Sequence, residues 1–393
     1  MRQRGSSWQL IVHAGRDPVT GKKRYVSRTV KGTKREAQRA LAALVTQIGH
    51  GVPADTATTV SQLLDAWFAQ ARTDFSPSTV RESNGIIERY LKPGLGEARL
   101  DRLRVPQIDT YYRRLLDGSA NHGRPLGPAT IRRLHGILRR ALGQAVRWGW
   151  IAHNYAADAS PPRIHAPEVR PPTPAEVARL FRLASGDDPT LATFVILAAA
   201  TGARRSELVA LRWSDIDIGR ASMTIRHGIV LGPDGLVEKG TKTHAIRNVS
   251  LDPTTLAALL AHQARADELA LAFGTTRSPG SFVFSIEPDG STTVRPDSMS
   301  RAFRQLCAKA GVPGVRLHDL RHYVATQLLA GGVDVRTVAG RLGHRNPSTT
   351  LNVYSHFLPE ADRSAATFLG HLFDLNSLPE GDRTDDAGVA PSG

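Results

Sequence analysis

The sequence predicts a mainly α-helical, multidomain chain: a small basic α+β piece at the N-terminus, an all-α segment, then a mostly helical α+β domain. Three observations carry this prediction. Apolar residues recur at helical spacing, as in Val60, Leu63, Leu64 and Trp67, and again in Ile131, Leu134, Leu138, Leu142 and Ala145. Strand-like runs bounded by Gly, Pro and Asp occur near the N-terminus and again between residues 223 and 251. Two segments, His50-Gly-Val-Pro-Ala-Asp55 and the proline-rich 161–172, are poorly suited to regular structure and divide the chain.

Taken in order, Trp8–His13 reads as a strand, Asp17-Pro-Val-Thr-Gly21 as a turn and Arg24–Val30 as a second strand. Thr33-Lys-Arg-Glu36 is a capping box that opens a helix through about Ile48. A sheet of two or three strands packed on one helix follows, at 1–50. Residues 56–160 form a helical domain, in which Ser76-Pro77 and Gly127-Pro128 start two of the helices. Residues 161–172 are a linker, ended by a second capping box at Thr173-Pro-Ala-Glu176. The domain at 173–375 is mostly helical, interrupted by strands at Met223–Arg226 and Arg247–Leu251 with turns at Gly232-Pro-Asp-Gly235 and Gly240. Gly, Pro, Asp and Ser dominate 376–393, which is expected to be a disordered tail.

The bulk numbers narrow the partner. The 393 residues include 51 Lys or Arg against 36 Asp or Glu, a net charge of +15, which favours a polyanion such as nucleic acid or an anionic membrane surface. The excess is concentrated: residues 1–50 hold 11 Lys or Arg against 2 Asp or Glu, among them Lys22, Lys23, Arg24 and Arg28. In the long helix after Gly127, Arg132, Arg133, Arg139, Arg140 and Arg147 gather on one side, because steps of seven nearly restore the same helical angle. For one such helix alone, a solvated basic face is the commoner explanation. A single cysteine, Cys307, excludes a disulfide framework and a cysteine-rich zinc site. No apolar leader and no membrane-length run is present, so a soluble, cytoplasmic protein is expected.

Residues able to carry chemistry cluster after position 200. The apolar run Leu191–Ala200 ends in Thr201-Gly-Ala-Arg-Arg-Ser-Glu-Leu208, which puts arginines just beyond a buried helix. A guanidinium held there needs an anion, and phosphate fits its fork; an Arg204–Glu207 ion pair one turn apart is the structural alternative. Lys242 lies in a turn between two candidate strands, with Lys239 as a rival. The stretch His318-Asp-Leu-Arg-His322 comes close to the zinc motif H-E-x-x-H, but its acid is an Asp and no third ligand is evident, so no metal is expected. His344 follows in Gly340-Arg-Leu-Gly-His344, and Tyr354 ten residues later. A tyrosine, two arginines, histidines and a lysine suffice for metal-free phosphoryl transfer, because the cations stabilise both the phenolate and the charge on phosphorus.

The ordered set T-G-x-R-x-S-E-L, K-T, H-x-L-R, L-G-H and V-Y resembles the tyrosine site-specific recombinase, or phage-type integrase, family over about residues 173–375. The resemblance implies Arg204 as the first signature arginine, Lys242 as the hairpin lysine, His318 and Arg321 as the H-x-x-R box, His344 as the later histidine and Tyr354 as nucleophile. Glu207 and His322 would support them. Arg205 departs from the family, which often has an apolar residue there. The resemblance further implies a 3′-phosphotyrosyl DNA intermediate, with His318 as general base and Lys242 as general acid. One phosphodiester is exchanged for another, so no cofactor is needed. The helical domain would bind core-type DNA sites and residues 1–50 arm-type sites. Four protomers would assemble on two duplexes, with accessory bending and directionality proteins as further partners. The run Ala366–Leu375 would be a helix docking on a neighbouring protomer, with packing on its own domain as the alternative. Two other readings are a type IB topoisomerase-like relaxase and a catalytically silent DNA-binding regulator.

Overall fold

A computed structural model describes residues 1–16, 23–49, 58–164, 170–240 and 246–344. The turn expected at Asp17–Gly21, the 50–55 linker, the helix at 366–375 and the tail lie outside the described residues. The chain is mainly helical, with three small antiparallel sheets among the described residues. It divides into two compact units, residues 1–167 with 231–235, and 168–230 with 236–393.

The first unit begins with strands β1 (Arg2–Arg4), β2 (Ser7–Arg16) and β3 (Lys23–Lys31), followed by helix α1 (Lys34–Gly49). The sheet therefore has a third strand, β1, ahead of the two read from the sequence. Alternation puts Trp8, Leu10 and Val12 on one face, where Leu10 is fully buried with Ala37 and Leu44 of α1. The capping box forms as expected: the Thr33 N–H donates to Glu36 Oε2 at 2.7 Å. Arg28 lies opposite Leu10 in register and stays exposed.

Helices α2 (Val60–Ala71), α3 (Pro77–Ile86), α4 (Lys92–Leu95), α5 (Val105–Leu116), α6 (Pro128–Arg147) and α7 (Tyr155–Asp158) share a second core. A π-helical turn, Ile87–Leu91, joins α3 to α4. The stripe predicted on α6 is the buried one: Ile131, Leu134, Leu138, Leu142 and Ala145. Its five arginines, Arg132, Arg133, Arg139, Arg140 and Arg147, are all exposed. Some have local partners: Arg133 meets Glu82 at 3.3 Å, and Arg140 lies over the rings of Phe75 and Trp67.

The second unit is built around α9 (Pro189–Thr201), which is apolar on every side and packs against α8 (Pro174–Asp187) and later helices. A helix with no polar face must be surrounded, and this one is. After it come α10 (Arg205–Leu208), β4 (Ile216–Asp217), β5 (Ser222–Ile225), β6 (His227–Leu231), β7 (Leu236–Gly240) and β8 (Arg247–Ser250). Strands β4, β5 and β8 form one sheet and β6–β7 a hairpin closed by the expected Gly232–Gly235 turn. Helices α11 (Pro253–Ala272), α12 (Pro296–Lys309), α13 (Asp319–Ala330) and α14 (Val335–Leu342) follow among the described residues of the unit. Cys307 is buried in the core, as a small apolar residue would be. Val324, Ala325 and Leu329 of α13 pack on Val338 and Leu342 of α14, which fixes the last turn of α14 against the end of α9. Among the described residues no helix is long and apolar enough to cross a membrane.

Candidate active site

Four residues expected to do chemistry, Arg204, His318, Arg321 and His344, lie at the ends of α9, α13 and α14. Lys242 and Tyr354 lie outside the described residues, as does Lys22. The rival Lys239 is on β7, half-buried.

Two left-handed glycines build the site. Helix α9 stops at Gly202 (φ 64°), a conformation that favours glycine because a Cβ would crowd the backbone. The reversal turns the Gly202 carbonyl towards Arg321, whose Nη1 donates to it at 2.7 Å. Helix α14 ends in the same way at Gly343 (φ 68°), whose carbonyl accepts from Arg204 Nη2 at 3.2 Å. Each helix end thus orients an arginine belonging to another part of the chain. Arg321 is 4% exposed, which makes it a cation fixed within the protein rather than a mobile surface arm.

Glu207 holds the other side of Arg204. Its carboxylate accepts the Arg204 N–H (2.9 Å) and Arg204 Nη1 (2.7 Å), so the ion pair considered as the structural alternative does form. The same carboxylate is bound by Arg247 Nη2 at 2.6 Å. Burial would raise the pKa of Glu207, but the bonds from Arg247 and Arg204 outweigh it and hold the carboxyl below its ordinary value. Glu207 therefore stays ionised, and a buried acid orients two guanidinia.

His344 follows Gly343 and faces these cations. Its pKa is pushed down to about 4, by burial first and then by the charges of Arg321, Arg204 and Arg247. His318 sits just before α13, its ring 5.0 Å from that of His322 and edge-on to it. Its pKa is also pushed down to about 4, by burial, then by His322 and Arg321. The outer side of His318 is exposed, so solvent tempers that shift, and its downward direction is what matters chemically. Both imidazoles are neutral near pH 7, able to donate from one nitrogen and accept at the other.

The near-zinc reading of 318–322 loses its acid to another partner. Asp319 is buried and takes Arg316 at three points, the N–H (2.8 Å), Nε (3.1 Å) and Nη2 (2.8 Å). Burial would raise its pKa, but these bonds prevail and lower it. Tyr323 packs beside the α13–α14 cluster. Next to His318 opens a cleft of about 560 Å³ whose lining includes Arg205, Ser300, Arg301, Arg304 and Arg316. Arg205 is held there by Ser300 Oγ (2.6 Å) and Asp297 (3.2 Å), which gives its departure from the family pattern a local role.

Sequence reasoning missed Arg247 and Arg341. The signal for Arg247 was available: in β8 it shares a face with Val249, which is 1% exposed. A cation on the core face of a strand requires an acid, and Glu207 is the buried acid that meets it.

The arrangement brings two fixed guanidinia close to one neutral imidazole, with a second neutral imidazole near Arg321. Residues 173–360 match the model of the phage integrase family, and residues 59–116 match the phage integrase N-terminal SAM-like domain. The chain is 26% identical to a XerC-like tyrosine recombinase of Caldanaerobacter subterraneus, over 87% of this chain and 90% of that one. It is 24% identical to the ICEBs1 integrase of Bacillus subtilis, over 93% and 97%. Among solved structures its fold is similar to the Tn1549 transposon integrase bound to a circular intermediate DNA (TM-score 0.66, 20% identity, 79% of this chain and 99% of that one). It is also similar to lambda integrase in a tetramer bound to a Holliday junction (TM-score 0.55, 18% identity, 86% and 90%).

Proposed function

The chain belongs to the phage integrase family of tyrosine site-specific recombinases, and from that premise we propose how its residues divide the cutting and rejoining of DNA. The enzyme catalyses DNA strand exchange of the phage and mobile-element type. Arg204, Arg321 and His344 hold the non-bridging oxygens of the scissile phosphate and stabilise the charge that builds on five-coordinate phosphorus. Tyr354 attacks that phosphorus; the P–O5′ bond breaks and a 3′-phosphotyrosyl bond forms. His318 takes the tyrosine proton, and Lys242 donates one to the leaving 5′-oxygen. Rejoining reverses each transfer with the partner strand's 5′-hydroxyl, so the phosphodiester count is conserved and no external energy source enters.

The observation that most supports this reading is the convergence of Arg204, Arg321 and His344 through the two helix-end glycines. The arginine-lined cleft beside His318 suits the phosphates that flank the scissile one. By the same reading, residues 56–160 bind core-type DNA through the α6 arginines and 1–50 bind arm-type DNA. Four protomers assemble on two duplexes, with accessory bending and directionality proteins. The biological task is integration and excision of a mobile element.

A nicked suicide substrate tests the reaction class. The expected result is a covalent protein–DNA adduct that forms equally well in EDTA. Relaxation of any supercoiled plasmid without joined recombination sites would point instead to a topoisomerase-like enzyme.

A further inference from the structure

Arg247 stands where the two arms of the site meet, and the recombinase reading gives it no role. Its side chain is 8% exposed, and all three guanidinium nitrogens are engaged with protein. Nη2 and Nη1 reach Glu207 at 2.6 and 3.3 Å, and Nε donates to the Arg341 carbonyl at 3.0 Å. One arm runs from Arg247 through Glu207 to Arg204, which that carboxylate grips at both backbone and guanidinium. The other runs through the last turn of α14: a Cβ built on Gly343 would come within 2.8 Å of Arg247 Nη1, and His344 is the next residue.

A return connection closes the loop. Arg341 Nη2 donates to the Ser250 carbonyl at the end of β8 (3.1 Å) and to the Ala200 carbonyl near the end of α9 (2.9 Å). Two arginines thus cross between β8 and α14 in opposite directions and tie both to α9. β8 begins two residues after the segment 241–245, which carries Lys242 and lies outside the described residues. Donors on three separate nitrogens require a guanidinium; a lysine ammonium would keep the charge without the fork.

We propose that Arg247 is a positioning residue for DNA cleavage, holding Arg204 through Glu207 and His344 through the end of α14 so that both meet the same phosphate. It acts through these residues and does not touch DNA itself. Small misplacements of such groups lower rates by about 100-fold without a comparable loss of binding. This inference rests on the recombinase reading above.

The test is Arg247→Lys in the full chain, with Arg247→Met beside it, measured on a nicked suicide duplex over a range of DNA concentrations. The expected result for Arg247→Lys is a rate of adduct formation at saturating DNA lowered by roughly 10- to 100-fold. Its half-saturating DNA concentration should stay within about twofold and hydrogen exchange in α9 should keep its protection, a split that a general loss of folding would not give. Arg247→Met should be slower still, and if it fails to fold, Arg247→Lys decides. A wild-type saturating rate in Arg247→Lys overturns the inference, as does weakened DNA binding at an unchanged saturating rate. If the wild-type chain itself forms no adduct, the recombinase reading fails and the inference with it; a normal wild-type adduct with a normal Arg247→Lys rate overturns the inference alone.

Discussion

Replacing Gly202 with alanine separates backbone strain from the geometry of the site. At φ 64° an L-residue costs about 1–2 kcal/mol. The new Cβ would also collide with Leu342 and press on Val324 at 3.4 Å, and overpacking of that kind costs about 1–3 kcal/mol. The sum is about 2–5 kcal/mol, so α9 and α14 amides that open only with this core should exchange hydrogen at least about 30-fold faster. Leu342 leads through Gly343 to His344, so the displacement should also slow cleavage of a suicide substrate by about tenfold or more. Gly332→Ala is the control. It has φ 79° in the same unit with nothing within 4 Å of its would-be Cβ, so it carries only the strain of about 1–2 kcal/mol. It should cleave at the wild-type rate. Equal exchange and equal cleavage in the two variants would refute the argument that the α9–α14 contact sets the site.

Other consequences are measurable. Arg321→Lys removes the fork that bonds Gly202 and reaches into the site, and should lower the saturating cleavage rate by about 100- to 1000-fold with little change in DNA affinity. His344 has its pKa lowered to about 4 and His318 has its pKa lowered in the same direction, so both stay neutral where an ordinary histidine of the unfolded chain, near 6.5, becomes charged. The sign follows from that order: stability is full above about pH 6.5 and falls as pH drops towards about 4, since only the unfolded state binds the protons there. The second-order cleavage rate at low DNA concentration, which reports the free enzyme, should therefore be level from pH 8 to about 6 and fall only below about 5. Asp319→Asn should destabilise by about 1–3 kcal/mol at pH 7 in urea unfolding, through loss of the charged acceptor for Arg316. Because the Asp319 pKa is lowered, that deficit should shrink as pH falls below about 4.

The helices were legible because their apolar spacing and caps are local. Thr33, Thr59, Ser76 and Thr173 sit at their helix starts, and the α6 stripe is buried residue for residue. The site was legible as a set of residue types in order, but not as a network. Alternation with Val249 places Arg247 on the core face of β8, but its partner Glu207, 40 residues away in the chain, is brought to it only by the fold. Arg341 likewise gains meaning only when α9 and β8, more than 90 residues away in either case, bring their carbonyls to it. Strands β6 and β7 went unread because, among the described residues, His227–Leu231 and Leu236–Gly240 pair only with each other, and their sequences HGIVL and LVEKG show no apolar alternation. Non-local partners cannot be deduced from periodicity, and they are what turns a motif into a clamp.

Tyr354, and not Tyr323 beside the histidine pair, is the proposed nucleophile. The direct measurement is mass spectrometry of the protein–DNA adduct after proteolysis and nuclease trimming, on the wild-type chain and on Tyr354→Phe. The expected result is a phosphonucleotide on the peptide containing Tyr354 and no adduct in the variant. A phosphonucleotide on Tyr323, or an adduct that survives in Tyr354→Phe, would contradict it.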